Sequence, residues 1–266
     1  MRGEIGQAFA LLAKQPLSDQ AVHAVRQALK RARAALRLLH DAVPDAAYAR
    51  ENASLRDAAH PLASPRDSCV MLELVEEMIA ERKMRRYRPA LLRLRAQLRQ
   101  SHARRMNAAR ADRSVARARR LLEQTLARTA HWRLPRDARS VYVAGLRRIY
   151  ERGRSELETA RSRPTANALH EWRKQVKYLG VAMALLGGSK PSAAKAYRLA
   201  VQVGKQLGDD HDLAGLAAAL RRAHADRDLI AKLEQRRHKL QKRALKRGRR
   251  LYHAAPERFG RPWAKR

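Results

Sequence analysis

The chain has 266 residues, and 45% of them are apolar, which is enough to bury a core and too many for a disordered basic tail. Its 59 Lys and Arg stand against 25 Asp and Glu, a formal charge of +34. A folded chain with that much self-repulsion points to a polyanionic partner: nucleic acid, an anionic membrane surface or an inorganic polyanion.

The first residues, MRGEIGQAFALLAKQPL, hold too short an apolar stretch for a secretory signal. No run approaches the roughly 20 apolar residues of a membrane span, so a cytoplasmic protein without membrane contact is expected. Strand signals are nearly absent, and Ala, Leu, Arg and Glu dominate, so the expected fold class is all-α. Breaks at Pro16, Pro44, Pro61 to Pro65, Pro89 and Pro135 predict helices over 4–14, 18–42, 47–60, 65–86, 89–105 and 113–130. Cys69 is the single cysteine, so no intrachain disulfide exists, in keeping with a reducing compartment. Beyond 131–136, Pro164, the Gly187-Gly188-Ser189 stretch, Gly208 and Pro256 predict helices over 137–161, 165–186, 191–206, 209–224 and 227–252. Residues 253–266 read as irregular, with 255–266 a basic tail.

The chain repeats itself. DQAVHAVRQALKRARAALRLLHD (19–41) matches ANALHEWRKQVKYLGVAMALLGG (166–188) at a shift of 147. His23 aligns with His170, Arg26 with Arg173 and Lys30 with Lys177, and Val22, Val25 and Leu29 align with Leu169, Trp172 and Val176. Ser18 and Thr165 match as N-caps. Downstream, SPRDSCVML (64–72) matches DDHDLAGLA (209–217) at a shift of 145. Two ordered matches at nearly one shift divide the chain into a helical half over 1–132 and another over 133–254, each of four or five helices.

At about 100° per residue, His23, Arg26, Lys30, Arg33 and Arg37 fall within an arc of about 80°, directly beside the apolar stripe. A solvated charged face usually lies across from the core; this one borders it, where two helices can form a cleft. The row runs about 21 Å at ~1.5 Å per residue, too long for one phosphate and suited to a chain of them. In the second copy His170, Arg173 and Lys177 keep the arc and Lys174 flanks it, but Gly180 and Ala184 replace Arg33 and Arg37. The first copy is therefore expected to bind more strongly. Arg grips phosphate oxygens as a fork and Lys as a mobile point charge. Each His is placed in a first helical turn, which favours anions, with binding strengthened below about pH 6.5. A single His-x2-Arg-x3-Lys is most often ordinary surface; its repetition in register is what points to a site. Asp67 and Asp212 read first as acids in N-terminal caps that position nearby basic groups. The runs at 82–88 and 236–250 read mainly as solvated helix faces, with Lys239, Arg243, Lys246 and Arg250 on one side as candidate further contacts.

The sequence holds neither a phosphate-binding GxxxxGK[ST] loop nor GxGxxG, no Cys/His set with zinc spacing, and no paired carboxylates for metal-assisted phosphoryl transfer. Aromatics make up 5%, few for a protein that stacks single-stranded bases. No catalytic residue, cofactor or metal is expected.

His23-x2-Arg26-x3-Lys30-Arg31-x-Arg33, Arg66-Asp67, His170-x2-Arg173-x3-Lys177 and Leu207-Gly208-x3-Asp212 resemble, in this order, the motifs of the CHAD family, the conserved-histidine α-helical domains. The resemblance covers nearly the whole chain. It implies two helical bundles related by a pseudo-two-fold around a basic central channel, and binding of inorganic polyphosphate, often at polyphosphate granules, without catalysis. It implies that His23, Arg26, Lys30, Arg31, Arg33, His170, Arg173 and Lys177 line the channel and that Asp67 and Asp212 support it. A non-specific nucleic-acid binder using the same basic surface is the alternative.

Overall fold

A computed structural model of the chain describes residues 1–14, 17–111, 113–133, 137–188 and 190–264. Among them there is no strand, and the fold is all-α. The helices are α1 (Arg2–Ala13), α2 (Asp19–Leu38), α3 (Asp45–Ala59), α4 (Ala63–Ala80), α5 (Arg88–Ala111), α6 (Arg113–Ala130), α7 (Ala138–Ser162), α8 (Ala166–Leu186), α9 (Pro191–Arg222), α10 (Arg227–Leu251) and α11 (Pro256–Ala264). The repeated helices α2 and α8 begin alike. Ser18 Oγ accepts from the Ala21 amide and Thr165 Oγ1 from the Ala168 amide, each at 3.1 Å, so one of the free N–H groups of each first turn is satisfied. α8 ends where Gly187 takes φ 61°, a left-handed conformation that suits glycine.

Three expected boundaries move. Gly208 does not break its helix, because α9 runs unbroken from Pro191 to Arg222. One interior glycine costs only about 1 kcal/mol, and Leu207 and Leu213 on either side are buried. The helix at 65–86 stops at Ala80, and a 3-10 stretch over Arg82–Tyr87 follows. That stretch buries Met84 and Tyr87. Residues 256–264, expected to be irregular, form α11, because Phe259 and Trp263 stand one turn apart and both are buried. Phe259 stacks on Tyr150 with ring centroids 3.8 Å apart. The predicted breaks at Pro16 and Pro135, Ser189 of the predicted Gly187-Gly188-Ser189 break, and residues 134–136 of the predicted junction at 131–136 lie outside the described residues.

Three apolar clusters hold the helices. One joins α1, α2, α3 and α6 through Ile5, Val22, Leu29, Leu55 and Leu122. A second joins α7 to α11 around Trp172, Tyr150 and Leu179, and takes in Ala34 and Leu38 of α2. The third joins α4 and α5 to the far end of α9 and to α10, through Val75, Leu91, Leu216 and Leu233. The first and second parts of the chain therefore share a core. α2 and α8 pack on each other, as do α4 and α9. α2 also crosses α7 at Gly145, where an added Cβ would lie 2.4 Å from the Leu38 carbonyl oxygen. A hydrogen-bonded chain braces α2, α4 and α5: His102 lies 2.8 Å from Ser68 Oγ and 3.1 Å from Asp19 Oδ2.

Candidate functional site

The helix contacts above enclose a cleft of about 650 Å³. α2 supplies His23, Arg26, Lys30 and Arg33 to it, and α8 supplies His170, Arg173, Lys174, Lys177 and Tyr178. Arg56 comes from α3, His60 from the turn after it, Arg66 and Asp67 from α4, and His211 and Asp212 from α9. Eight Lys and Arg side chains and four imidazoles thus face two carboxylates. The pattern that placed the basic row beside the apolar stripe explains the location. Val22, Val25 and Leu29 on α2, and Leu169, Trp172 and Val176 on α8, are buried, so the adjoining row on each helix lies at the mouth between elements.

Within the protein these cations are poorly neutralised. Arg26 donates to the Ala59 carbonyl at 3.4 Å and Arg33 to Asn52 at 3.1 Å, both uncharged acceptors. Arg66 reaches Glu73 at 3.2 Å and Lys174 reaches Glu171 at 2.5 Å. Arg173 Nε and His170 Nδ1 are buried without a hydrogen-bond partner among the described residues. Such orphaned groups are costly unless something outside the chain satisfies them.

The proton affinities carry the same signature. Burial, and then repulsion from Arg173, push the Lys177 ammonium down to about 7. Lys30 is lowered by the same two effects. His23, His170 and His211 are all lowered, first by partial dehydration and next by Arg66, His211 and Arg173 respectively. Arg26, Arg33 and Arg173 are lowered by burial, while burial raises the Asp212 carboxyl against the pull of Arg173. A site that disfavours its own positive charge is stabilised by a bound anion.

The CHAD domain family model matches residues 6–221. The chain belongs to the CHAD domain family. This family is linked to polyphosphate binding in general. In fold this CHAD domain is similar to PptA from Streptomyces chartreusis, with a TM-score of 0.63 and 15% identity over 96% of this chain and 95% of that one. It is also similar to the CHAD domain from the plant Ricinus communis, with a TM-score of 0.53 and 16% identity over 95% of this chain and 88% of that one. No curated protein matches the sequence.

Most side chains expected from the sequence meet in the cleft of this CHAD domain, and some do not. Arg31 does not line it. Its Nε is 2.7 Å from Glu4, and the side chain faces a second groove that also holds Gly180 and Ala184. Arg37 stops short as well: its guanidinium lies 3.8 Å from the Tyr178 ring centroid and donates to the Arg33 carbonyl. Lys239, Arg243, Lys246 and Arg250 are exposed on α10 and take no part in the cleft. Asp67 and Asp212 do line it, but neither caps a helix. Asp67 is the fifth residue of α4 and Asp212 lies inside α9. His23 and His170 are likewise fifth in their helices, past the free N–H groups of the first turn. The reading from sequence missed Arg56, His60, Tyr178 and His211, and left Arg66 without a role. Two of these were within reach, because the shift of 145 that pairs Asp67 with Asp212 also pairs Arg66 with His211. His211 and His170 stand with ring centroids 5.0 Å apart.

Proposed function

We propose that this CHAD domain binds inorganic polyphosphate electrostatically in the cleft between α2 and α8, and does not hydrolyse it. The observation that carries the reading is the convergence of eight Lys and Arg side chains on a cleft with two carboxylates. The second groove supports a channel: Arg173, Lys177, Asp212 and Gln27 line both hollows, so the two meet at these residues. On this reading the two halves of the chain are tandem bundles related by a pseudo-two-fold, with α2 and α8 as the two walls. A linear chain of phosphates presents repeated charge to such a row, with Arg forks and Lys point charges as partners. Each charge-assisted contact contributes about 1.5–3 kcal/mol. A place in the cytoplasm at polyphosphate granules follows from the same ligand. No helix among the described residues is long and apolar enough to cross a membrane.

The test is a titration with long-chain polyphosphate at physiological salt, with duplex DNA or RNA added at equal phosphate concentration. Polyphosphate should stay bound and no orthophosphate should appear. Displacement by nucleic acid would transfer the cleft to nucleic-acid binding, and orthophosphate release that is lost in His23→Ala would make the protein a hydrolase.

A further inference from the structure

The exposed cations are not spread evenly. On α5 the arginines point in several directions, and Arg99 is paired with Glu76. On α10 they sort by side. Leu229, Leu233, Ala244, Gly248 and Leu251 are buried. At about 100° per residue, Lys239, Lys242, Arg243, Lys246, Arg249 and Arg250 fall within an arc of about 120° that faces away from them. All six are exposed. None of their side chains makes a hydrogen bond or ion pair with a described residue. Of the α10 cations outside this arc, Arg236 pairs with Glu81, Arg237 with Asp210 and Arg247 with Gln202, and Lys232 lies over the Tyr87 ring. No Asp or Glu occurs between Glu234 and Glu257. The stripe extends about 17 Å at ~1.5 Å per residue.

A row of six uncompensated cations on one face raises the charge density without helping the fold, since like charges one turn apart destabilise a helix. It also lies apart from the cleft, to which α10 contributes no side chain. α9 stands between the two, with Asp210 on Arg237 and Gln241 of α10, and with His211 and Asp212 in the cleft.

We propose that the outer face of α10 is a second polyanion-binding site for linear polyphosphate, so that one molecule bridges two phosphate chains. The identity of the ligand rests on the function proposed for the cleft; the separateness of the site does not. The open stripe makes no orienting hydrogen bonds and binds through counterion release, so it is weaker than the cleft and more sensitive to salt. Two sites on one body turn long polyphosphate into a cross-linking agent, because each chain holds many protein molecules and each protein holds two chains.

Three variants test this. In Lys239/Arg243/Lys246/Arg250→Gln four of the six stripe cations are removed. In Arg88/Arg93/Arg104/Arg105→Gln the same charge is lost from α5. In Arg26/Lys30/Arg173/Lys177→Ala the cleft is removed. Calorimetry with short-chain polyphosphate should find two sites in the wild type, the second at least about tenfold weaker. The stripe variant should keep only the tighter site, and the cleft variant only the weaker one. With long-chain polyphosphate, light scattering should rise for the wild type and the α5 variant and stay flat for the stripe variant. If the stripe variant scatters like the wild type, or the α5 variant loses as much, the proposal is overturned. It also fails if the stripe variant loses binding to duplex DNA and not to polyphosphate. A cleft variant that keeps both sites would overturn the cleft reading and leave the second site standing.

Discussion

α2 and α8 bring the same His, Arg and Lys to the cleft at the same spacing, yet they differ in what extends the row. On α2 the row continues to Arg33, and Arg37 follows one turn later. On α8 the matching positions are Gly180 and Ala184, which line the second groove. The shift of 147 also pairs Arg31 with Tyr178. In one copy that position holds an arginine tied to Glu4. In the other it holds a buried tyrosine whose ring takes the guanidinium of Arg37. The two copies are therefore complementary as well as unequal: the ring on α8 holds Arg37 at 3.8 Å and has Arg33 at 5.9 Å, and of these two arginines Arg33 lines the cleft.

The comparison depends first on there being two walls. Replacing Arg26, Lys30, Arg173 and Lys177 together with Ala should leave helicity intact and weaken polyphosphate binding by about 1,000-fold or more, since four charge-assisted contacts are lost. Wild-type affinity in that variant would exclude α2 and α8 as the walls that hold the ligand. The next largest effect separates them. Extra arginines on α2 favour the first copy as the stronger wall, but the geometry favours the second. Arg173 and Lys177 lie where the two hollows meet, and Arg173 Nε has no partner, whereas Arg26 already donates to Ala59. Arg173/Lys177→Ala should therefore cost about 100-fold and Arg26/Lys30→Ala about tenfold, by titration at pH 6.5, where Lys177 is mostly charged. The reverse order would restore α2 as the dominant wall.

Acidity bears next on Lys177. Free Lys177 titrates at about 7, and a bound polyanion draws its proton back. Binding should therefore weaken as pH rises above 7, by up to about tenfold per pH unit for this one proton. The slope should shrink in Lys177→Gln. The lowered histidines add a further gain only on the acid side of their ordinary range, below the pH 6.5 expected from an unperturbed imidazole. Stability without ligand runs the other way. Between about 7 and the ordinary lysine value the unfolded chain holds a proton that folded Lys177 lacks, so the thermal midpoint should rise with pH across that window. It should also be lowest, relative to Lys177→Gln, below pH 7.

The sequence made the walls legible because their register is local. A helix fixes the angle between His23, Arg26 and Lys30 whatever packs against it, and a repeat of the same triplet reports a shared environment. The caps at Ser18 and Thr165 are equally local and stand as expected. What was not legible depends on partners distant in the chain. Arg31 leaves the cleft because Glu4, 27 residues earlier, is within reach. Arg56 and His60 enter it because α3 packs on α2. Asp67 and Asp212 looked like caps because Pro65 and Gly208 look like helix boundaries, but burial on both sides carried the helices through. The C-terminal helix was hidden by its charge, since its two anchoring aromatics are a small signal in a basic segment.

The smallest effect bears on the difference between the walls themselves. If Arg37 serves Tyr178 and not the ligand, Arg37→Ala should change polyphosphate affinity by less than about threefold, while Arg33→Ala, which removes a cation that lines the cleft, should cost about tenfold. The loss in Arg37→Ala should appear in stability instead, at about 1 kcal/mol for a guanidinium over a ring. That corresponds to a fall of about 2–4 °C in Tm for a chain of this size. Tyr178→Leu should produce a similar fall, and the double variant should add little to either single one, because both remove the same contact. If Arg37→Ala weakens binding as much as Arg33→Ala does, the ring is holding Arg37 for the ligand, and α8 then contributes to the row on α2 that its own sequence lacks.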